Sequence, residues 1–236
     1  MYIRVNLLLQ HIEAKNAEVK HGRMQKKLNL NMVEIRLHGR GGQGTVTAAE
    51  LIAEAAFYDG KFSQAFPSFG IERRGAPVEA YVRIGDKPIT LHSKIYAPDY
   101  LIIQDPSLVS LKEITQGVKD DTFIIINSEK GDRAFRNFFK KNKIQTVPAT
   151  QIAMEILKKP IINTALLGAF AGACGLLDPE SLQKAISLRF KGEIATLNLK
   201  AMNTAFCHCN SNDKYCFTAE KCKIAIDGGQ KFAVEC

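Results

Sequence analysis

The glycine-rich stretch at residues 39–44, GRGGQG, has the spacing Gly-x-Gly-x-x-Gly. It follows an alternating apolar segment and precedes a helical pattern, the context in which backbone amides and a helix N-terminus bind phosphate. Glycine suits this position because a Cβ would hold the backbone away from the anion. The stretch therefore predicts an anion site. The alternative is a tight strand-to-helix turn that binds no ligand.

The sequence around this stretch disfavours a nicotinamide or flavin site. Such a site requires an acidic residue at the end of the second strand, about 20 residues further on, to hold the ribose. Asp59 has this spacing, but it stands at a predicted helix end beside Gly60. Residues 61–70 contain no acid.

A second basic motif, Arg73-Arg74-Gly75, lies in a loop rich in aromatic residues and glycine. Two guanidinium groups beside a glycine suit a phosphate or carboxylate partner. A solvated or interfacial arginine pair explains the motif equally well. His38, which ends the first strand, is expected to have a core or capping role. No nucleophile elbow, zinc-protease motif or Walker-type phosphate loop is present.

The cysteines are concentrated at the C-terminus, where five occur after residue 206. Their spacing matches neither a bacterial ferredoxin run nor the paired motifs of zinc ribbons. Metal or cluster binding and a loose reduced tail both remain open for this segment. We assign no metal ligand, and residues 32–206 offer no metal-ligand cluster. The residues concerned are Cys207, His208, Cys209, Cys216, Cys222 and Cys236.

Strand and helix patterns alternate from Met32 onward. They predict an α/β class with a Rossmann-like three-layer domain and a mixed, mostly parallel central sheet. The predicted strands are 33–37, a hairpin of 78–84 and 88–92, and 99–104, 122–126 and 143–147. The predicted helices are 46–58, 151–157, 164–177 and a last helix at 179–190.

Composition divides the chain into an N-terminal extension (1–31), the α/β domain (32–206) and a Cys-rich C-terminal tail (207–236). The net charge is +8, and half of it lies in the extension. Three interpretations of the extension stay open: a helix-like arm, a targeting peptide, or a non-functional addition before Met32. A mildly basic domain suits a small anionic ligand, and we expect neither nucleic acid nor membrane as a partner. With its one cysteine in 206 residues, the main part is expected to be cytoplasmic.

Residues 32–200 resemble the gamma subunit of pyruvate (2-oxoacid):ferredoxin oxidoreductases, an EC 1.2.7 activity. Four stretches carry the resemblance: HGRGGQGTVTAAELIAEAA, QAFPSFGIERRGAPVEAYVRI, PDYLIIQD and INTALLGA, the last with a DPE helix downstream. Both ends of the chain depart from the family pattern.

The resemblance implies a division of labour. Thiamine diphosphate with Mg²⁺ and iron–sulfur clusters belong to partner subunits, one thiamine-binding and one ferredoxin-like, and ferredoxin accepts the electrons. The gamma domain helps to bind coenzyme A as a substrate, completes the complex and is not active alone. In agreement, the sequence has no thiamine-type motif and no ferredoxin cysteine run.

The resemblance also implies which residues face coenzyme A, and none of them is a general acid or base. No catalytic residue is therefore assigned. The implied coenzyme A residues are Gly41, Gly42, Gln43, Gly44, Thr45, Arg73, Asn163 and Asn198.

Two other functions compete with this interpretation. A stand-alone nucleotide-binding module is disfavoured by the missing ribose acid and by the linked ERRGAP loop. A nucleic-acid-binding protein is suggested only by the pI of about 9.2. The identity of the 2-oxoacid is not encoded in any motif of this chain.

Overall fold

The computed structural model describes residues 32–68 and 75–210. Within those ranges it contains six β-strands, six α-helices and two 3-10 helices. The strands are β1 (Val33–Arg40), β2 (Phe62–Pro67), β3 (Pro77–Gly85), β4 (Tyr100–Ile103), β5 (Phe123–Asn127) and β6 (Ile144–Val147). The α-helices are α1 (Thr45–Tyr58), α2 (Lys112–Thr115), α3 (Ala149–Leu157), α4 (Asn163–Cys174), α5 (Pro179–Arg189) and α6 (Gly192–Cys209). The 3-10 helices span Pro106–Ser110 and Asp132–Phe135.

The strands form one sheet in the order β2-β3-β1-β4-β5-β6. The pairs β1–β4, β4–β5 and β5–β6 are parallel, whereas β1–β3 and β2–β3 are antiparallel. Leu37 lies opposite Ile102 on one side and Ala80 on the other. The predicted mixed, mostly parallel α/β sheet is confirmed.

Apolar side chains that alternate along the strands build a core on each face of the sheet. Ile35, Leu37 and Ile102 belong to the larger core, which the α-helices cover. Leu101 and Ile103 point to the other face and join a smaller core. The short helices that follow β4 and β5 supply much of that second cover, through Leu108, Val109, Ile114 and Phe135. The sheet thus has a cover layer on each face, as predicted.

The predicted hairpin of 78–84 with 88–92 is wrong. β3 pairs instead with β2, whose residues belong to the segment 61–77 that its aromatic residues and glycines predict to be a loop. Proline is compatible with an edge strand, where an outward-facing amide has no ladder partner to lose. Pro67 ends β2 at the edge of the sheet, so it does not interrupt the ladder.

A buried arginine holds the segment that was predicted to be the second hairpin strand. Nη1 of Arg83 donates to the carbonyl oxygen of Leu91 at 3.2 Å, and Nη2 donates to that of Ser93 at 2.7 Å. Its Nε pairs with Glu34 at 2.8 Å. Arg83 thus satisfies two carbonyl oxygens of this segment without a strand partner.

The sequence pattern also missed α6 as a separate helix. Phe190 ends α5, and α6 starts at Gly192 and continues to Cys209. The expected boundary between residues 206 and 207 falls inside α6, where Cys207 and Cys209 pack partly buried against the larger core. The other three tail cysteines lie outside the described residues, and the domain division stays a prediction. None of the described helices is long and apolar enough to cross a membrane.

Two glycines allow α4 and α6 to pack with their backbones in close contact. A Cβ on Gly168 would lie 2.0 Å from the carbonyl oxygen of Met202, and one on Gly172 would lie 2.5 Å from that of Phe206. No real Cβ contact is that short, and the obstacle is backbone rather than a flexible side chain. The uncharged character of α4 follows from this burial.

We expect Gly168→Ala to lower the free energy of unfolding by about 1–3 kcal/mol, because the added methyl group overpacks the α4–α6 contact. Alanine favours helices over glycine by about 1 kcal/mol, which offsets only part of this loss. Urea denaturation of the full chain measures the change. Gly131→Ala is the control, since Gly131 has a φ of −64° and open space at its Cβ position. Equal stability of the two variants would contradict the packing argument.

Candidate functional site

The glycine-rich turn lies at the carboxyl end of β1, next to β4. The connections that follow these two neighbouring strands lead to opposite edges of the sheet. After β1 the chain continues through α1 to β2 and β3, whereas β4 is followed by β5 on its opposite side. In open α/β sheets, ligands bind outside the carboxyl ends of the strands at such a switch point. The topology thus places the sequence-predicted anion site where a ligand is expected.

Backbone hydrogen bonds join the turn to the start of β3. The amide of Gly41 donates to the carbonyl oxygen of Ala76 at 2.9 Å, and the amide of Gly75 donates to that of Gly41 at 3.2 Å. The turn itself is closed by Gln43, whose Oε1 accepts from the amide of Arg40 at 2.7 Å. The side chain of Gln43 therefore shapes the turn.

Three glycines of the turn are required for different reasons. A Cβ on Gly39 would lie 2.3 Å from both Gln104 Oε1 and Thr45 Oγ1, so a larger residue would displace these side chains and break the hydrogen bond between them. Gly42 and Gly44 have φ values of 96° and 74°, a region that glycine adopts without strain. Among the described residues, no atom lies within 4 Å of the Cβ position of Gly42, so this part of the chain leaves the turn open at that point.

The N-terminus of α1 is left available to an anion. Gly44 is its N-cap and provides no side-chain cap, and the first turn contains no acidic residue. The first amides of a helix lack intrahelical acceptors, and the helix dipole makes this end positive. Thr45 contributes an amide, since its buried hydroxyl already donates to Gln104 Oε1 at 2.6 Å.

The structure brings Asn163 to the turn and places Asn198 one layer behind it. Asn163 begins α4, and its Nδ2 lies 3.0 Å from the position of a Cβ on Gly44. Its Oδ1 accepts from the amide of Thr164 at 2.9 Å. The hydroxyl of Thr164 donates to Asn198 Oδ1 at 2.9 Å, and Asn198 Nδ2 donates to Ile194 at 2.8 Å. Asn198 supports α4, while Asn163 keeps a donor directed at the turn.

Arg73 lies outside the described residues, so its predicted role stays a prediction. Gly75, two positions later in the sequence, is the residue whose amide bonds to Gly41. Gly75 therefore joins the chain that follows the arginine pair directly to the glycine turn.

The sequence analysis missed Arg40 and Asp105. Arg40 Nε lies 2.5 Å from Asp105 Oδ2, and its two terminal nitrogens donate to the Gly75 carbonyl oxygen at 3.1 Å and to Ser107 Oγ at 2.7 Å. The available signal was the acid directly after β4, since the carboxyl ends of neighbouring parallel strands lie at one edge of the sheet. Asp105 is also the N-cap of the 3-10 helix that follows β4.

Hydrogen bonding keeps Asp105 ionised. Partial burial by itself raises the pKa of this carboxyl group. Hydrogen bonds from Ser107 and Arg40, together with the charge of Arg40, outweigh burial and hold the pKa below its ordinary value. The site therefore carries one fixed negative charge, which Arg40 neutralises.

His38, just before the turn, is a core residue. Its side chain is 1% exposed, and burial, followed by the charge of Arg36, lowers its pKa to about 3. Nδ1 lies 3.7 Å from Glu79 Oε1, too far for a hydrogen bond, and Nε2 has no hydrogen-bond partner among residues 32–68 and 75–210. The neutral, enclosed imidazole agrees with the expected core role.

We expect His38 to make folding pH-dependent below neutrality. Its pKa is near 6.5 in the unfolded chain and about 3 in the fold, so the unfolded chain binds the proton first. The contribution of neutral His38 to the free energy of unfolding is complete above pH 6.5 and is lost as the pH falls toward 3. Urea unfolding at pH 7 and pH 4 should show a loss of about 2–4 kcal/mol that His38→Gln reduces.

The exposed His92 provides the control for that measurement. His92→Gln should leave the difference between pH 7 and pH 4 as in the unmodified protein. A pH dependence that is identical in the His38→Gln variant would show that other groups cause it.

A separate pocket of about 320 Å³ opens at the opposite edge of the sheet, where β4 and β5 begin. It is wide open to solvent and lies away from the carboxyl ends of the strands, so we do not assign the anion site to it. No group of three or more potential metal ligands occurs in residues 32–68 or 75–210. The pocket is lined by Asp99, Tyr100, Asp121, Phe123, Lys143, Ala173 and Cys174.

Comparison with known proteins assigns the family. Residues 34–207 match the pyruvate ferredoxin/flavodoxin oxidoreductase family. The chain belongs to this family. Pyruvate synthase subunit PorC of Methanocaldococcus jannaschii is 52% identical over 175 residues, which are 74% of this chain and 96% of that protein. The pyruvate/ketoisovalerate oxidoreductase common subunit gamma of Pyrococcus furiosus is 50% identical over 177 residues, with the same coverage of both chains.

Solved structures of the oxidoreductase family have the same fold. Pyruvate oxidoreductase subunit PORC of Thermotoga maritima superimposes with a TM-score of 0.68 at 35% identity, over 75% of this chain and 96% of that one. The 2-oxoglutarate:ferredoxin oxidoreductase of Magnetococcus marinus matches with a TM-score of 0.64 at 20% identity. This chain covers 30% of that longer chain, so the likeness there concerns the fold of one part. The present chain is thus a gamma-type subunit of an oxidoreductase of this family.

Proposed function

We propose that this gamma-type subunit helps to bind coenzyme A in a 2-oxoacid:ferredoxin oxidoreductase complex. The complex would decarboxylate a 2-oxoacid oxidatively to an acyl-coenzyme A and pass the electrons to ferredoxin. Pyruvate is the favoured substrate, because the relatives at 50% identity and above are named as pyruvate or pyruvate/ketoisovalerate enzymes. Thiamine diphosphate with Mg²⁺ and the iron–sulfur clusters would belong to thiamine-binding and ferredoxin-like partner subunits.

The uncapped N-terminus of α1 is the observation that carries the proposal. It lies at the switch point of the sheet, follows a turn that is open at Gly42, and has no acid in its first turn. Phosphate is the anion that such a site binds best, through several backbone amides and the helix dipole. Coenzyme A is the phosphate-bearing substrate of the reaction.

The residues of this chain would bind and orient the substrate without taking part in proton transfer. The amides from Gly41 to Thr45 would hold a phosphate group, and Asn163 Nδ2 would donate from the side of α4. Arg73 would add a charge-assisted contact from the adjacent loop. Asn198 would act only through Thr164 and Asn163.

We expect the isolated chain to show no oxidoreductase activity. The described residues contain no cluster of metal ligands, and no thiamine motif occurs in the sequence. The test is reduction of a viologen dye by pyruvate and coenzyme A, first with the single chain and then with the reconstituted complex. Dye reduction by the single chain would contradict the proposal.

In the assembled complex, Arg73→Ala should raise the apparent KM for coenzyme A roughly 10- to 150-fold. That range corresponds to the loss of about 1.5–3 kcal/mol from one guanidinium–phosphate contact. Gly42→Val should raise it further, because the side chain fills the open space above the turn. The KM for the 2-oxoacid should not change. Steady-state kinetics with each substrate varied separately distinguishes the two constants.

Gly175→Val is the matched control for Gly42→Val. Gly175 also has a positive φ, 63°, and open space at its Cβ position, but it ends α4 about 18 Å from Asn163. Both variants therefore place valine at a positive φ, and only Gly42→Val should affect coenzyme A. If the substitutions at Gly42 and Arg73 change the 2-oxoacid constant alone, the phosphate assignment fails and the turn is only a corner of the fold.

A further inference from the structure

An ion pair borders the glycine turn on the side of β4. The guanidinium of Arg40 is 35% exposed and the carboxylate of Asp105 is 19% exposed, with Nε and Oδ2 2.5 Å apart. Asp105 follows Gln104, whose side chain binds Thr45 at the start of α1. The pair therefore lies at the same switch point as the helix N-terminus.

The carboxylate of Asp105 conflicts with an anion site at this position. It is held in place as the cap of the 3-10 helix after β4, where Oδ1 accepts from the amide of Ser107 at 2.9 Å and from its hydroxyl at 2.6 Å. A fixed negative charge beside a bound phosphate would repel it, and the low pKa keeps the charge in place at neutral pH.

The positive charge of Arg40 removes this conflict, and its guanidinium also contacts the neighbouring segments. One guanidinium reaches three acceptors on two different segments: the carboxylate of Asp105, the hydroxyl of Ser107 and the carbonyl oxygen of Gly75. A lysine ammonium has no rigid fork with which to contact all three. The contact with Gly75 fixes the loop end that bonds to Gly41.

We infer that Arg40 is a positioning residue of the coenzyme site, which neutralises Asp105 so that the α1 N-terminus can accept a polyphosphate. The inference rests on the proposed function, since the anion is taken to be the phosphate part of coenzyme A. The inference adds that the affinity for coenzyme A depends on the net charge of the Arg40–Asp105 pair.

Substitutions in the assembled complex separate charge from structure. Arg40→Met leaves Asp105 uncompensated and should raise the KM for coenzyme A roughly 3- to 30-fold, the order expected for one unit charge within about a Debye length of a phosphate at an effective dielectric constant of roughly 20–80. The KM for the 2-oxoacid should not change. Arg40→Lys keeps the charge and should stay within about 3-fold of the unmodified complex.

Asp105→Asn provides the rescue. Asparagine caps helices as well as aspartate does, so this substitution removes the charge and keeps the acceptor for Ser107. Combined with Arg40→Met, it should return the KM for coenzyme A to within about 3-fold of the unmodified value. The defect of Arg40→Met alone should shrink as salt is raised from 0.05 to 0.5 M, because salt screens exposed charges.

Arg136 provides the control, because it makes the same kinds of contact elsewhere. It pairs with Asp132 and donates to the carbonyl oxygen of Asn142 at 2.8 Å. Arg136→Met should leave both KM values unchanged, and thermal unfolding of each complex shows whether a variant has lost its fold.

Two outcomes would overturn the inference while leaving the proposed function intact. In the first, Gly42→Val raises the KM for coenzyme A but Arg40→Met does not. In the second, the double variant is as impaired as Arg40→Met, which would make Arg40 a structural clamp. If Gly42→Val, Arg73→Ala and Arg40→Met all leave the coenzyme A dependence unchanged, the proposed function fails and the inference with it.

Discussion

The hydrogen bond between Thr45 Oγ1 and Gln104 Oε1 is the contact on which the candidate site depends. It passes over Gly39, at a position where any Cβ would collide with both partners. It thereby joins three points: the end of β1, the first residue of α1 and the residue after β4. Because all three lie at the switch point, one short contact determines where the helix N-terminus points. The positions of the uncapped amides of α1 and of the Arg40–Asp105 pair both depend on this hydrogen bond.

On the face of the sheet away from α1, buried arginines hold irregular backbone in place by binding its carbonyl oxygens. Arg83 binds the carbonyl oxygens of Leu91 and Ser93, and Arg36 binds those of Tyr96, Ile114 and Gln116. Each guanidinium offers several donors to irregular backbone that has no strand partner. These contacts allow a long connection to cover the antiparallel half of the sheet, while the parallel half uses short helices. The face of the sheet opposite the larger core and the glycine turn is thus covered by ordered chain as well.

Local patterns predicted the elements whose signals lie within a few residues. Val33, Ile35 and Leu37 alternate as a strand should, and the glycine spacing marked the strand-to-helix turn. The hairpin was wrong because its evidence was equally local. Gly85 indicates that the chain turns there, but it does not indicate what the next segment pairs with. Residues 88–92 do not form a strand, and Arg83 binds carbonyl oxygens of this connection instead. α6 was missed because its burial depends on close packing with α4, which no single window of sequence displays.

The sequence by itself determined the class of the domain, the position of the glycine-rich turn and the resemblance that the family comparison confirmed. Each of these is encoded in contiguous residues, through periodicity, glycine placement or motif. Only the tertiary structure decided that Asn163 reaches the turn while Asn198 lies behind it, and that Arg40 meets Asp105. Asn163 lies 119 positions from Gly44 of the turn, and Arg40 lies 65 positions from Asp105. Their contacts exist because the parallel sheet brings the carboxyl ends of β1 and β4 together, and α4 packs beside them.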